Sequence, residues 1–291
     1  MNILLRAISR VRAYGALVMF SHTLFSLPFA MITMLLAAGG MPPLRVFLWI
    51  IIALFAGRNG ANALNRYVDA SIDAKNPRTA ERHIPAGKIR HIDALVIAVV
   101  CFAVFIAAAS ALNRLCLYLS PAAVFLFCIY SYTKRFTWLC HIILGITCAG
   151  APLGAWIAVT GGFHYIPLLF ASAAALWIAG FDIIYGTQDI EFDRKEGLFS
   201  IPARFGLRRS LYIARVFHII MWFMLLSLFF ITKLSYIYLF GLAVCGILLI
   251  VEHYNVDPSH RRKMKLVSYN INQIIGLFLM FASVFDMIIL W

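Results

Sequence analysis

Apolar residues fall into blocks of membrane-span length from residue 15 to the end of the chain, each bounded by charge, proline or glycine. An α-helix needs about 20 apolar residues to cross the roughly 30 Å hydrocarbon core. The blocks predict nine helices, at 15–38, 45–68, 92–111, 115–132, 137–159, 164–187, 208–231, 235–252 and 267–290. The third and fourth are parted only by the corner at Asn113 and Arg114. The fold class is therefore all-α, a polytopic membrane protein forming a single domain over residues 1–291. Ahead of the first block, Arg6, Arg10 and Arg12 punctuate residues 2–13, which reads as a short amphipathic helix on the inner membrane surface. The block at 15–38 is longer than a signal-peptide core and is expected to be a retained span.

Composition agrees with the pattern. The chain is 63% hydrophobic with a mean hydropathy of +0.89, more apolar residues than one soluble core can bury. A formal charge of +13 raises nucleic-acid binding, but the basic residues sit in short interhelical loops rather than on a soluble face. Counted on alternate sides, nineteen Lys and Arg fall on one side and three, Arg45, Arg114 and Lys233, on the other. That asymmetry predicts an orientation with the N-terminus inside and the C-terminus outside. The six cysteines form no CxxC pair and read as small hydrophobes, and no pair of histidines has HExxH-like ligand spacing.

The chemistry is expected at the acidic residues, of which there are only twelve. Carboxylates at span ends carry a desolvation cost that asks for a partner or a use. Span two ends in Asn65, Asp69 and Asp73, four residues apart, which on a helix makes one ridge with about 6 Å between steps. Span six ends in Asp182, Tyr185, Asp189 and Asp193, whose offsets of three, seven and eleven keep them on one face. Both ridges lie on the cytoplasmic side by the charge count. Facing acidic ridges repel unless neutralised, and Mg²⁺ takes oxygen ligands while completing its shell with water and substrate phosphates. The inference is a metal-dependent diphosphate site. Arg78 and Arg82, which follow the first ridge, and Lys134 and Arg135, between spans four and five, supply cations on the same side.

At these residues the sequence resembles the UbiA superfamily of intramembrane aromatic prenyltransferases. The resemblance rests on Asn65-x3-Asp69-x3-Asp73, on Tyr130-x3-Lys134, and on the second acidic motif running from Asp182 through Asp193 to Gly206. The run IDAKNPRTAERHIPAGK is similar to the bacterial subgroup of 4-hydroxybenzoate polyprenyltransferases and their menaquinone relatives acting on dihydroxynaphthoate. The resemblance implies a UbiA-like bundle with a cytoplasm-facing active site. It also implies two Mg²⁺ bridged by a polyprenyl diphosphate and held by Asn65, Asp69, Asp73, Asp182, Asp189 and Asp193, with Arg82 and Lys134 on the phosphates. Many relatives carry Asn-Asp where this chain has Asn65-Arg66.

The expected reaction is ionisation of the allylic diphosphate and attack by an electron-rich aromatic acid. The acceptor's carboxylate needs a cation or hydroxyl donors, for which His22, Ser21, Thr23 and Arg82 are the candidates by position. The prenyl chain is as apolar as lipid and can leave between helices, past aromatics such as Phe127, Tyr130, Trp156, Trp177 and Tyr185. The expected partners are polyprenyl diphosphate, an aromatic acid and membrane lipid, with no nucleic acid and no obligate protein partner. An ion-coupled transporter would instead place its acids near span centres, on broken helices in paired repeats. A CDP-alcohol phosphotransferase would open its acidic motif as DGxxAR, which the chain lacks.

Overall fold

The computed structural model describes residues 25–290, so His22, Ser21, Thr23, the helix expected over 2–13 and the start of the first span lie outside it. Twelve α-helices are described: α1 (Leu27–Ala38), α2 (Leu44–Val68), α3 (Ala70–Lys75), α4 (His91–Leu112), α5 (Arg114–Thr133), α6 (Cys140–Thr160), α7 (Tyr165–Gly186), α8 (Ile190–Lys195), α9 (Ile201–Ile231), α10 (Tyr236–Tyr254), α11 (Arg261–Lys265) and α12 (Ile271–Leu290). Eight of the long helices have the length and apolar character to cross a membrane, and α1 is the described part of the first expected span. The corner between spans three and four is real. Asn113 caps α5 by accepting a hydrogen bond from the Cys116 N–H at 2.9 Å.

The bundle is built around α7, which packs between α6 and α9, while α2 pairs with α4 and α10 with α12. Burial follows that order: 61% of the most apolar stretch of the segment containing α7 is buried, against 11% for α5. On the rim, Val96, Val99, Phe223, Ile247 and Ile288 are exposed on the outer surface. The close contact of α6 with α7 depends on Gly145, where an added Cβ would lie 2.2 Å from the Ala175 carbonyl oxygen.

Two details depart from the expected spans, and both shape the charged end. The acidic ridges are not continuous helices. α2 stops at Asp69 (φ −91°, ψ 2°) before resuming as α3, and α7 passes through a tight turn at Thr187–Asp189 before α8, with Asp189 at φ −105°, ψ 8°. In each case the central aspartate is the joint, and the short following helix turns aside. The seventh expected span starts earlier, at Ile201 rather than 208, because Ser200 caps it and Pro202 stands in its first turn. Its first turns then bend at Gly206, whose φ of 75° only glycine adopts without strain.

Candidate active site

Three loop regions meet at one end of the bundle. The stretch after α2 reaches the stretch after α7 through Asn76 Nδ2, which donates to Asp189 Oδ1 at 3.0 Å, and through Lys75 and Glu196 at 2.7 Å. The stretch after α5 joins them through the Phe199 N–H, which donates to the Lys134 carbonyl at 2.8 Å. Beneath this junction opens a cavity of ≈ 680 Å³. Its mouth is lined by Asn65, Asp69, Asp73, Arg78, Arg82, Lys134, Tyr185 and Asp189, with Tyr130 and Asp182 further in. Deeper, the lining turns apolar, through Phe105, Leu126 and Phe127, and the cavity extends as far as Leu112, Ala158 and Phe163 at the opposite end of the spans.

Charge at the mouth is arranged in pairs. Asp73 receives two hydrogen bonds from Arg82 Nη1, at 2.6 and 2.8 Å, with Arg66 Nη1 3.8 Å away. Asp189 is clamped by Arg78, whose Nε donates at 2.9 Å and whose Nη2 also donates, while its Nη1 reaches the Tyr185 hydroxyl at 3.0 Å. The Arg78 contact uses the planar fork of arginine, whereas Arg82 offers a single nitrogen to both oxygens of Asp73. Lys134 stands 2.9 Å from Asp193, and Arg135 3.1 Å from Asp69. Asp69 also accepts from Asn65 Nδ2 at 2.9 Å.

Burial sets the electrostatics of this layer. It pushes the Asp69 carboxyl above the usual carboxylate range, with Arg135 opposing the shift. Burial also works against the charge of Lys134, but Asp193 and Asp189 outweigh it and hold the ammonium above the ordinary lysine range. Arg78 follows the same logic, its charge penalised by burial and restored by Asp189.

Of the charged site residues named from the sequence and described in the structure, two stand apart from the cavity lining. Asp193 is turned to Lys134 and to the Ser200 hydroxyl, which donates to it at 2.9 Å. Arg135 is drawn to the end of α2, where its Nη2 donates to the Val68 carbonyl at 2.8 Å, so it braces the joint at Asp69. Asp182 lines the cavity but differs from the other four: its partner is a histidine, His141, with Nδ1 2.8 Å from Oδ2. Of the aromatics, Phe127, Tyr130 and Tyr185 line the cavity, whereas Trp177 is packed in the core and Trp156 stacks on His164.

Several lining residues escaped the sequence reading. Arg66, which stands where many relatives carry Asp, faces Asp73 from two turns before it. Arg58 and Asn62 continue the first ridge inward at helical spacing, and an arginine inside a span is a signal in its own right. Asn76 and His141 gave no such signal, because their partners are 113 and 41 residues away.

The donor set at the mouth suits a hard cation. Carboxylate and amide oxygens predominate, and the Asp69 Oδ1 atom is buried with Arg135 nearby yet without a well-formed hydrogen bond. Among the described residues no three Asp, Glu, His or Cys side chains are arranged to hold a metal by themselves. Mg²⁺ is normally bound through a few carboxylates plus substrate phosphates rather than in an all-protein cage.

Comparison with known proteins places the fold. The family model described as the UbiA prenyltransferase family matches residues 26–281. The chain is 30% identical over 202 residues to a 4-hydroxybenzoate octaprenyltransferase of Vibrio campbellii, an alignment spanning 69% of each chain. The apo structure of a UbiA homolog from Aeropyrum pernix superposes with a TM-score of 0.83 at 30% identity, covering 91% of this chain and 98% of that one. A UbiA homolog from Archaeoglobus fulgidus, solved bound to DMAPP and Mg²⁺, shares the fold at a TM-score of 0.68 and 19% identity, over 93% of this chain and 98% of its own. With its acidic joints, paired cations and apolar channel, this chain belongs to the UbiA prenyltransferase family and is a multi-pass membrane prenyltransferase.

Proposed function

We propose that the protein transfers a polyprenyl group from its diphosphate to an aromatic acid, 4-hydroxybenzoate, at the inner face of a bacterial membrane. One observation carries the reading: a single cavity joins a mouth of paired charges to an apolar channel running toward the far side of the bundle. A diphosphate suits the first part and a long hydrocarbon the second. The name of the Vibrio relative supports the acceptor, and the ligands of the Archaeoglobus homolog support the donor. The Lys and Arg count puts the charged mouth on the cytoplasmic side.

In this reading Asn65, Asp69, Asp73 and Asp189 would hold Mg²⁺ through their oxygens, and the ion would supply positive charge for the diphosphate, while Asp193 holds Lys134 in place. Arg78, Arg82 and Lys134 face the same space and meet phosphate oxygens as the allylic C–O bond lengthens. Catalysis is mainly stabilisation of that leaving group plus alignment of the acceptor. The channel walls exclude water from the allylic carbon, and Tyr130 offers a ring face at the boundary between the charged and apolar parts. Arg58 is the cation placed for the acceptor's carboxylate: it lines the cavity in mid-span, and its described hydrogen bond is to Cys148 Sγ rather than to an acid.

The test is transfer by membranes containing the protein, with Mg²⁺ and a labelled polyprenyl diphosphate, offering 4-hydroxybenzoate and dihydroxynaphthoate separately. Prenylated 4-hydroxybenzoate is the expected product. Product from the naphthoate alone would move the assignment to the menaquinone branch, and no product from either would end it.

A further inference from the structure

Asp182 is chemically unlike the other aspartates of the two ridges. Asp69, Asp73, Asp189 and Asp193 each face an arginine or lysine, whereas Asp182 faces an imidazole. It is also the most open of the five, with 31% of its side chain exposed against 17% for Asp69, 8% for Asp73, 6% for Asp189 and 2% for Asp193. Because Asp182 lines the cavity, that exposure faces the space a substrate would fill. Its place is also different. Seven residues before Asp189, it lies about 10 Å further along the helix toward the apolar channel. There it stands away from the charged pairs and on the same cavity as Arg58 and Tyr130.

The histidine fixes its orientation. A carboxylate accepts, so the Nδ1–H of His141 donates to Asp182 Oδ2 at 2.8 Å, and no described residue bonds to Oδ1. The imidazole packs against Gly186, where an added Cβ would lie 3.0 Å from its Cε1, and its buried Nε2 has no hydrogen-bond partner among the described residues. Glycine at 186 leaves room for the ring. A carboxylate anchored through one oxygen, with the other open to the substrate cavity, has the geometry of a proton acceptor.

We infer that Asp182, oriented by His141, takes the proton that the aromatic acceptor gives up. The inference rests on the prenyl-transfer reading above and deepens it. A ring carbon of the acceptor forms its bond to the allylic carbon as the C–O bond to diphosphate breaks, the bonding pair leaving with the diphosphate. The ring carbon then loses its proton to Asp182 Oδ1, and the C–H pair restores aromaticity. The carboxylic acid returns the proton to water through the open mouth once the product has left. In this scheme Asp182 is a catalytic residue and His141 a positioning residue. Neither serves the metal, which departs from the ligand role that the sequence pattern suggests for Asp182.

Asp182→Asn and His141→Gln test this in the full-length protein in membranes, with the parent run alongside. Three quantities are read: turnover, the Mg²⁺ concentration giving half-maximal rate, and the isotope effect with acceptor deuterated at the ring position that is prenylated. Turnover in Asp182→Asn should fall about 100-fold or more, the usual scale for losing a general base. The Mg²⁺ requirement should stay that of the parent, and the isotope effect should rise above the parent value as proton removal becomes slow. His141→Gln and Gly186→Ala, which crowds the ring, should show the same signature more weakly. Retained binding of the polyprenyl diphosphate reports that each variant is folded, and loss of binding in all three would overturn the assignment in favour of a structural role. A raised Mg²⁺ requirement with no isotope effect would make Asp182 a metal ligand, and full turnover in Asp182→Asn would remove it from the chemistry. If the parent gives no product from any aromatic acceptor, the prenyl-transfer reading itself fails and takes this inference with it.

Discussion

The charged mouth of the cavity and the enclosed cluster around Glu252 both bury ionisable groups in a membrane bundle, yet they are built in opposite ways. At the mouth, carboxylates meet arginines and lysines, and the pairs face an open cavity. Around Glu252 the partners are uncharged or weakly basic. Trp177 Nε1 donates to Asn272 Oδ1 and Asn272 Nδ2 to Glu252 Oε1, both at 2.7 Å. His218 Nε2 donates to the Trp177 carbonyl at 3.2 Å, leaving Nδ1 to accept from His253 Nε2 at 2.9 Å. Glu252 and Asn272 are fully buried, and none of Trp177, His218, Glu252 and Asn272 lines the cavity. Full ion pairs around an opening suit a charged ligand, because phosphate can share cations that are already held in place. Hydrogen bonds that tie α7, α9, α10 and α12 together suit stability, although Glu252 Oε2 and His253 Nδ1 stay buried without a hydrogen-bond partner among the described residues. Burial of polar groups in a span therefore marks function only when the groups also face a cavity.

That contrast can be broken or sharpened by mutation. The largest expected effect is at the mouth: Arg78→Ala removes the clamp on Asp189 and a cation for phosphate, and turnover per folded molecule should fall about 1,000-fold in a transfer assay, far beyond what the accompanying drop in melting of the solubilised protein explains. In the enclosed cluster the pattern should invert. Asn272→Leu leaves Trp177 Nε1 and Glu252 Oε1 without their partner, a cost of about 1–3 kcal/mol for each buried group, so melting should drop while turnover per folded molecule persists. Arg135→Gln lies between the two classes. It loosens the α2 joint and the Asp69 contact from outside the cavity, and a decrease in turnover of about tenfold is expected, with the Kd for polyprenyl diphosphate less affected than kcat. Lys75→Ala, in an ion pair whose lysine side chain is 63% exposed, should leave both measurements at parent values, as solvent-screened pairs usually do.

The spans were legible because a bilayer enforces one simple rule on composition, and α2, α4 and α5 begin and end close to where charge and Asn113 interrupt the apolar blocks. Asn65, Asp69, Asp73, Tyr185 and Asp189 were legible because local helical spacing carries them to one face, and all five reach the cavity. What the spacing could not show is the choice of partner. Asp193 is on the same ridge, but Lys134 and Ser200 draw it out of the lining. His141 meets Asp182 only because α6 and α7 pack closely across Gly145, a contact between residues 41 apart in sequence. The early start of α9 had a local signal, Ser200 followed by Pro202, which the polarity of Arg204, Arg208 and Arg209 obscured.

The central claim is that the charged mouth is catalytic machinery and not a structural ion-pair layer. Asp69→Asn and Asp189→Asn, each compared with Asn272→Leu in one membrane preparation, test it by Mg²⁺-dependent prenyl transfer and melting temperature measured together. The two aspartate variants should lose nearly all transfer, about 1,000-fold or more, with melting close to the parent and well above that of Asn272→Leu. Transfer retained in both, or transfer lost only in step with melting, would contradict the claim.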